Sequence, residues 1–133
     1  MKGYIKLRIP GETFWAKPLS ETTAEIKNIL VNPEYGFDDI VSHDGFGNVQ
    51  ALLIKKTYRV FLKYPLFVKK SEDKDERRNK IIKHFENENL MAEPAIAGLI
   101  LIAVPVGIPH EAIVQISKSC PVKIELDFDE GEE

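Results

Sequence analysis

The segment Ala95–Pro109, AIAGLILIAVPVGIP, constrains the fold more than any other, because no other stretch of this length is free of charge. It is too short for a membrane helix, which needs about 20 apolar residues, and Gly98, Pro105, Gly107 and Pro109 punctuate it. The pattern predicts the end of one strand, a turn at Ala97-Gly98, a strand over Leu99–Val104 and a Pro/Gly exit into a helix. A strand that is apolar on both sides must be covered on both faces. Its neighbours in the sequence therefore have to supply those layers.

Residues 58–133 supply the pieces in the order strand, helix, strand, strand, helix, strand. Tyr58–Tyr64 alternates and stops at Pro65. Asp73 and Glu76 have capping-box spacing, and a helix follows over about Asp75–Asn89 with Ile81, Ile82 and Phe85 as its apolar stripe. On this reading Arg77, Arg78, Lys80 and Lys83 face water. Met91–Ile96 is a weak strand that Pro94 places near an edge. Pro109 opens a second helix, Pro121 stops it, and Val122–Phe128 alternates as the last strand. This order is that of a ferredoxin-like βαββαβ unit, with Tyr58–Tyr64 and Leu99–Val104 as its central strands. An acidic tail, residues 130–133, is expected to fray.

Residues 1–57 read differently. Tyr4–Ile9, Glu12–Leu19 and Thr22–Leu30 have strand character, and VNPEYGFDD is a loop. Ile40–His43 and Val49–Lys56 form a hairpin around Asp44-Gly45-Phe46-Gly47-Asn48. Five short strands without a helical period predict a small bent β-sheet or partly open barrel. The fold class is thus α+β: a small all-β subdomain, 1–57, packed on a ferredoxin-like subdomain, 58–129.

Four segments of the first half resemble a known family. Phe14-Trp15-Ala16-Lys17-Pro18-Leu19, Asn28-Ile29, Gly36-Phe37-Asp38-Asp39-Ile40-Val41 and Thr57-Tyr58-Arg59-Val60 occur in that order. They are similar to the Trp-Ala-Glu-Pro-Leu, Asn-Ile-Pro, Gly-Asp-Val-Val and Thr-Tyr-Arg-Val motifs of an uncharacterised bacterial family, domain of unknown function 4265. Here Lys17 replaces the usual acid and Leu30 the common proline, and Ile54-Lys55-Lys56 lacks the Gly-His often found before Thr-Tyr-Arg. The resemblance implies the strand order and carries no activity.

Composition excludes more than it assigns. At 44% hydrophobic residues a chain of 133 can bury a core, and a net charge of -3 gives no general attraction to nucleic acid or anionic lipid. The middle, 58–90, is mildly basic, but Glu72, Asp73, Asp75 and Glu76 lie among its cations, so a solvated, salt-bridged face is expected rather than a nucleic-acid site. One cysteine, Cys120, excludes an intramolecular disulfide, and no apolar signal follows Met1; the expected location is cytoplasmic, without membrane contact.

Nucleotide-binding glycine loops, a nucleophile elbow and zinc spacings are missing from the sequence. No catalytic residue, metal ligand or cofactor is assigned; were the chain an enzyme, Asp39, His43 and Tyr35 are the groups it would have to use. Cys120, at a helix C-terminus, reads as structural, and His84 as a solvated helix residue. Asp39 is expected to hydrogen-bond backbone in its loop. Trp15 and Tyr35 either form a binding surface or fill a gap between sheets. The candidate binding residues are Trp15, Tyr35, Asp39 and His43, and the expected function is a protein-binding or regulatory module, with a protein partner or self-association. The alternatives are a small-ligand sensor and an immunity protein for a neighbouring toxin.

Overall fold

The period-two pattern of the first half becomes an antiparallel meander of five strands, β1 (Ile5–Ile9), β2 (Glu12–Pro18), β3 (Thr23–Ile26), β4 (Ile40–His43) and β5 (Val49–Ile54), each beside the next. In this computed structural model, which describes residues 3–65 and 74–129, the chain divides into two compact units, Met1–Tyr58 and Arg59–Glu133. The inward positions of the meander, Leu7, Ile9, Phe14, Ala16, Ala24, Ile26 and Val41, are buried with Leu30 into one core. Their outward neighbours Lys6, Arg8 and Lys17 are exposed.

A flat meander would leave this core open on one side, and Arg8 is what curls it. The Arg8 N–H donates to Gly47 O at 2.8 Å, while its guanidinium donates to Phe46 O at 2.8 Å and Asn48 Oδ1 at 2.7 Å. Strand β1 is thereby tied to the β4–β5 turn, with a bridge between Arg8 and Asn48, and the sheet becomes a half-barrel. The turn itself is built on Asp44. Its carboxylate accepts the Phe46 and Asn48 N–H groups and the Asn48 side-chain amide, while Gly45 and Gly47 take φ of 86° and 100°.

The second unit holds a four-stranded sheet in the order β7-β8-β6-β9, from β6 (Thr57–Lys63), β7 (Met91–Pro94), β8 (Leu99–Pro105) and β9 (Glu125–Asp129), with helices α1 (Lys74–Glu86) and α2 (His110–Lys118). Strands β6 and β8 are the two middle ones. In β8, Ile100, Leu101, Ile102, Ala103 and Val104 are all buried, so both faces of the apolar strand are covered. Gly98, at φ 82°, makes the turn from β7. The last strand pairs from Glu125 and not from Val122, because its partner β6 ends at Lys63, shortly before Pro65, which has no N–H for a ladder. The acidic residues 130–133 and the cap residue Asp73 lie outside the described residues.

Helix α1 departs from expectation on its inner side. Arg77 does not face water; it is 4% exposed, on the same stripe as Ile81 and Phe85 at a spacing of four residues. His84 is also engaged, with Nε2 2.8 Å from Ile116 O and 3.1 Å from Ser119 Oγ at the end of α2. The helix ends at Glu86, and Asn89, at φ 65°, lets the chain turn back so that Leu90 N–H reaches Phe85 O. Among the described residues no helix is long and apolar enough to cross a membrane.

The Asp44 turn predicts a titration. The Asn48 side-chain amide, then the Phe46 and Asn48 N–H groups, hold the Asp44 carboxyl down from the usual 3.8 to about 2. Its contribution to stability is complete above the usual carboxyl value and disappears as the pH falls through about 2. Carbon NMR of the side chain should place the Asp44 midpoint at about 2, and Asn48→Ala should raise it. A native midpoint at the usual value would contradict this turn.

Candidate functional site

The four candidate residues occupy separate places in the half-barrel. Asp39, just before β4, is fully buried on the inward face that it shares by the two-residue period with Val41 and His43. Its Oδ1 accepts the Lys56 N–H at 2.7 Å and the Thr57 N–H at 3.2 Å; its Oδ2 accepts the Gly36 N–H at 2.7 Å and faces Lys55 Nζ at 3.0 Å. Thr57 Oγ1 completes the cluster by donating to Phe37 O at 2.7 Å. A buried carboxylate is strongly penalised unless donors surround it, and here three backbone amides and a cation do. Gly36 is required by the same packing, since a Cβ there would stand 2.6 Å from Thr57 Oγ1.

Asp39 is thus committed to holding its loop against the 55–57 segment, and no oxygen of it is left for a substrate. Glu12 anchors the other end of the loop, its carboxylate accepting the Val31 N–H at 2.6 Å and the Asn32 N–H at 3.2 Å. Tyr35, between the anchors, packs partly buried against the core. Trp15 is on the face of β2 opposite Phe14 and Ala16, half-buried, with Lys6 Nζ 4.1 Å from its ring centroid, and its backbone N–H donates to Asn28 Oδ1 at 2.7 Å. The resemblance motifs therefore meet in pairs: Trp15 with Asn28, and Gly36 and Asp39 with Thr57.

His43 ends β4 and is 5% exposed. Its Nδ1 accepts the Gly45 N–H at 3.1 Å, which places the proton of the neutral ring on Nε2. That Nε2 is buried without a hydrogen-bond partner among the described residues. A cavity of about 470 Å³ lies against the ring, lined also by Lys6, Leu7, Ser20, Glu21 and Phe46. His43 lines this cavity, although its Nε2 is itself closed to water.

Strand β5 carries the surface that the sequence reading passed over. Leu52, Leu53 and Ile54 are 37%, 52% and 49% exposed on the terminal strand of the sheet. The β4–β5 register shifts twice, leaving Gln50 and Leu53 without a direct opposite. The signal was the unbroken apolar run Ala51-Leu52-Leu53-Ile54, which cannot place all its side chains on one face. Phe46, at the tip of the adjoining turn, is 81% exposed.

Burial pushes the Cys120 thiol up, against the opposing effect of a hydrogen bond from the Val122 backbone, which suits a structural role. Among the described residues no three His, Cys, Asp or Glu side chains are grouped to hold a metal ion. No family model, curated protein or solved structure matches this chain.

The Asp39 cluster predicts a graded loss of stability. Asp39→Ala strands three amides and the Lys55 cation and should cost about 3–5 kcal/mol in urea unfolding. Asp39→Asn keeps one carbonyl oxygen and should cost about 1–3 kcal/mol. A change within about 0.5 kcal/mol for Asp39→Ala, the range of an ordinary surface substitution, would contradict the role assigned to it.

Proposed function

We propose that this chain is a non-enzymatic cytoplasmic module that binds a protein partner through β5. The observation that carries the proposal is the exposure of Leu52, Leu53 and Ile54 together on a terminal strand, where water contact with large apolar groups is unfavourable and an interface would remove it. The two register shifts in the β4–β5 ladder bend β5, and the proposed partner meets its exposed side chains. Its matching surface is an apolar patch with a polar rim. Asp39, the most site-like carboxylate, is committed internally, and that supports a binding role over a catalytic one.

The architecture we assign follows the same reading. The strand order β7-β8-β6-β9, with α1 between β6 and β7 and α2 between β8 and β9, supports a ferredoxin-like second unit. Membership of the domain-of-unknown-function 4265 family is supported by the pairing of the motif residues in space: Asn28 with Trp15, and Asp39 with Gly36 and Thr57.

The cavity at His43 favours a second reading, a small-ligand sensor, because its volume of about 470 Å³ and its polar lining of Lys6, Ser20, Glu21 and His43 suit a small polar metabolite. In a thermal-shift screen across metabolite classes, a ligand present at 100 times its dissociation constant would stabilise the chain by about 2.7 kcal/mol, and His43→Phe would abolish the effect. Silence across all classes removes this reading.

For the β5 surface, a photo-crosslinking residue placed at Leu53 should capture a discrete protein in cells. The adduct should vanish with Leu52→Lys, and the same group at Gln115 on α2, also exposed, should not form it. Equal capture from both positions, or none from Leu53, would sink the proposal.

A further inference from the structure

Arg77 is the most unusual group in the second unit. A guanidinium keeps its charge at any physiological pH and is rarely buried without an anion. Here the residue is 4% exposed, and its Nε and Nη2 atoms are both buried with no hydrogen-bond partner among the described residues. These two atoms share one edge of the planar group, the edge that grips a carboxylate or phosphate with two parallel hydrogen bonds. The Tyr64 ring, with its centroid 5.9 Å from the guanidinium carbon, flanks the group and offers no acceptor along that edge.

The surroundings are those of a receiving site. A cavity of about 200 Å³ is lined by Arg77, Pro65, Pro121, Val122 and Lys123. Pro65 and Lys123 also line a larger groove of about 410 Å³, with Lys63, Tyr64, Ile124 and Glu125 along its walls. Each is lined by two cations, Arg77 and Lys123 in the small cavity and Lys63 and Lys123 in the larger groove, where the Glu125 carboxylate and the apolar walls of Tyr64 and Ile124 join them. The position of Arg77 is dictated by the helix: it continues the Ile81 and Phe85 stripe by one turn, where an aliphatic residue would serve packing and leave no charge to satisfy.

We propose that the Arg77 cavity binds an oxyanion: a carboxylate or phosphate group of a small ligand, displacing the atoms that close Nε and Nη2 off from water, docks side-on against Nε–H and Nη2–H, beside Lys123, with the body of the ligand along Tyr64 and Ile124. The site belongs to the second unit and depends neither on the β5 surface nor on the His43 cavity.

The test is nitrogen NMR of the Arg77 Nε–H in the full chain, titrated separately with inorganic phosphate and with acetate against chloride at equal ionic strength. A saturable shift with either anion and none with chloride supports the site, and the stronger of the two names the ligand's head group. Arg77→Lys, which keeps the charge but lacks the fork, should weaken that anion by about tenfold or more, followed through neighbouring amides. The proposal is overturned if neither anion moves the Arg77 signal. It is equally overturned if Glu72→Gln or Asp73→Asn shifts that signal before any anion is added, since a carboxylate of the chain itself would then fill the fork.

Discussion

A carboxylate that has left water entirely must be surrounded by donors, and the half-barrel is arranged around one that is. Asp39 gathers amides from Gly36, Lys56 and Thr57 and the Lys55 cation, fixing where the 31–39 loop ends and where β4 begins. Because β4 starts there, Val41 and His43 fall inward, and the turn at Asp44 is delivered to Arg8 for closure of the curl. Glu12 performs the same service at the start of the loop. Two carboxylates therefore hold a loop that has no regular structure of its own.

The buried polar groups separate into two kinds. Asp39 is fully satisfied and belongs to the scaffold. Among the described residues, His43 Nε2 and the Nε/Nη2 edge of Arg77 are buried and unmatched, each in a residue that lines a cavity of its own unit. Native proteins seldom leave such groups bare, and the ligands proposed above would supply the partners that these groups lack. The sequence points the other way at first sight, since paired acids such as Asp38-Asp39 look more like chemistry than one arginine in a helix.

Much of the architecture is legible because it rests on local rules. The alternation of Ile5, Leu7 and Ile9, the Asp44–Asn48 turn and the uncharged run through Leu99–Val104 each dictate an element directly, and Pro65 and Pro121 mark two ends. The Asp39 role is legible for the same reason: an aspartate before a strand commonly bonds nearby backbone. Arg77 is not, because hydropathy sorts it with the solvent-facing cations although its helical phase puts it with Ile81 and Phe85. His84 is missed because its partners, Ile116 O and Ser119 Oγ, are distant in sequence. The exposed face of β5 is hidden by its own apolarity, which reads as core until the strand is found at the end of the sheet.

The most direct measurement of the Asp39 anchor is amide hydrogen exchange at Gly36, Lys56 and Thr57. All three lie at loop or strand ends, where amides ordinarily exchange through local opening. If the buried carboxylate holds the half-barrel together, they exchange only when it unfolds, at the rates of Ile26 and Val41 in the core strands. Exchange orders of magnitude faster than those core amides would contradict the account, and would mean that the loop is held by the surrounding sheet and not by Asp39.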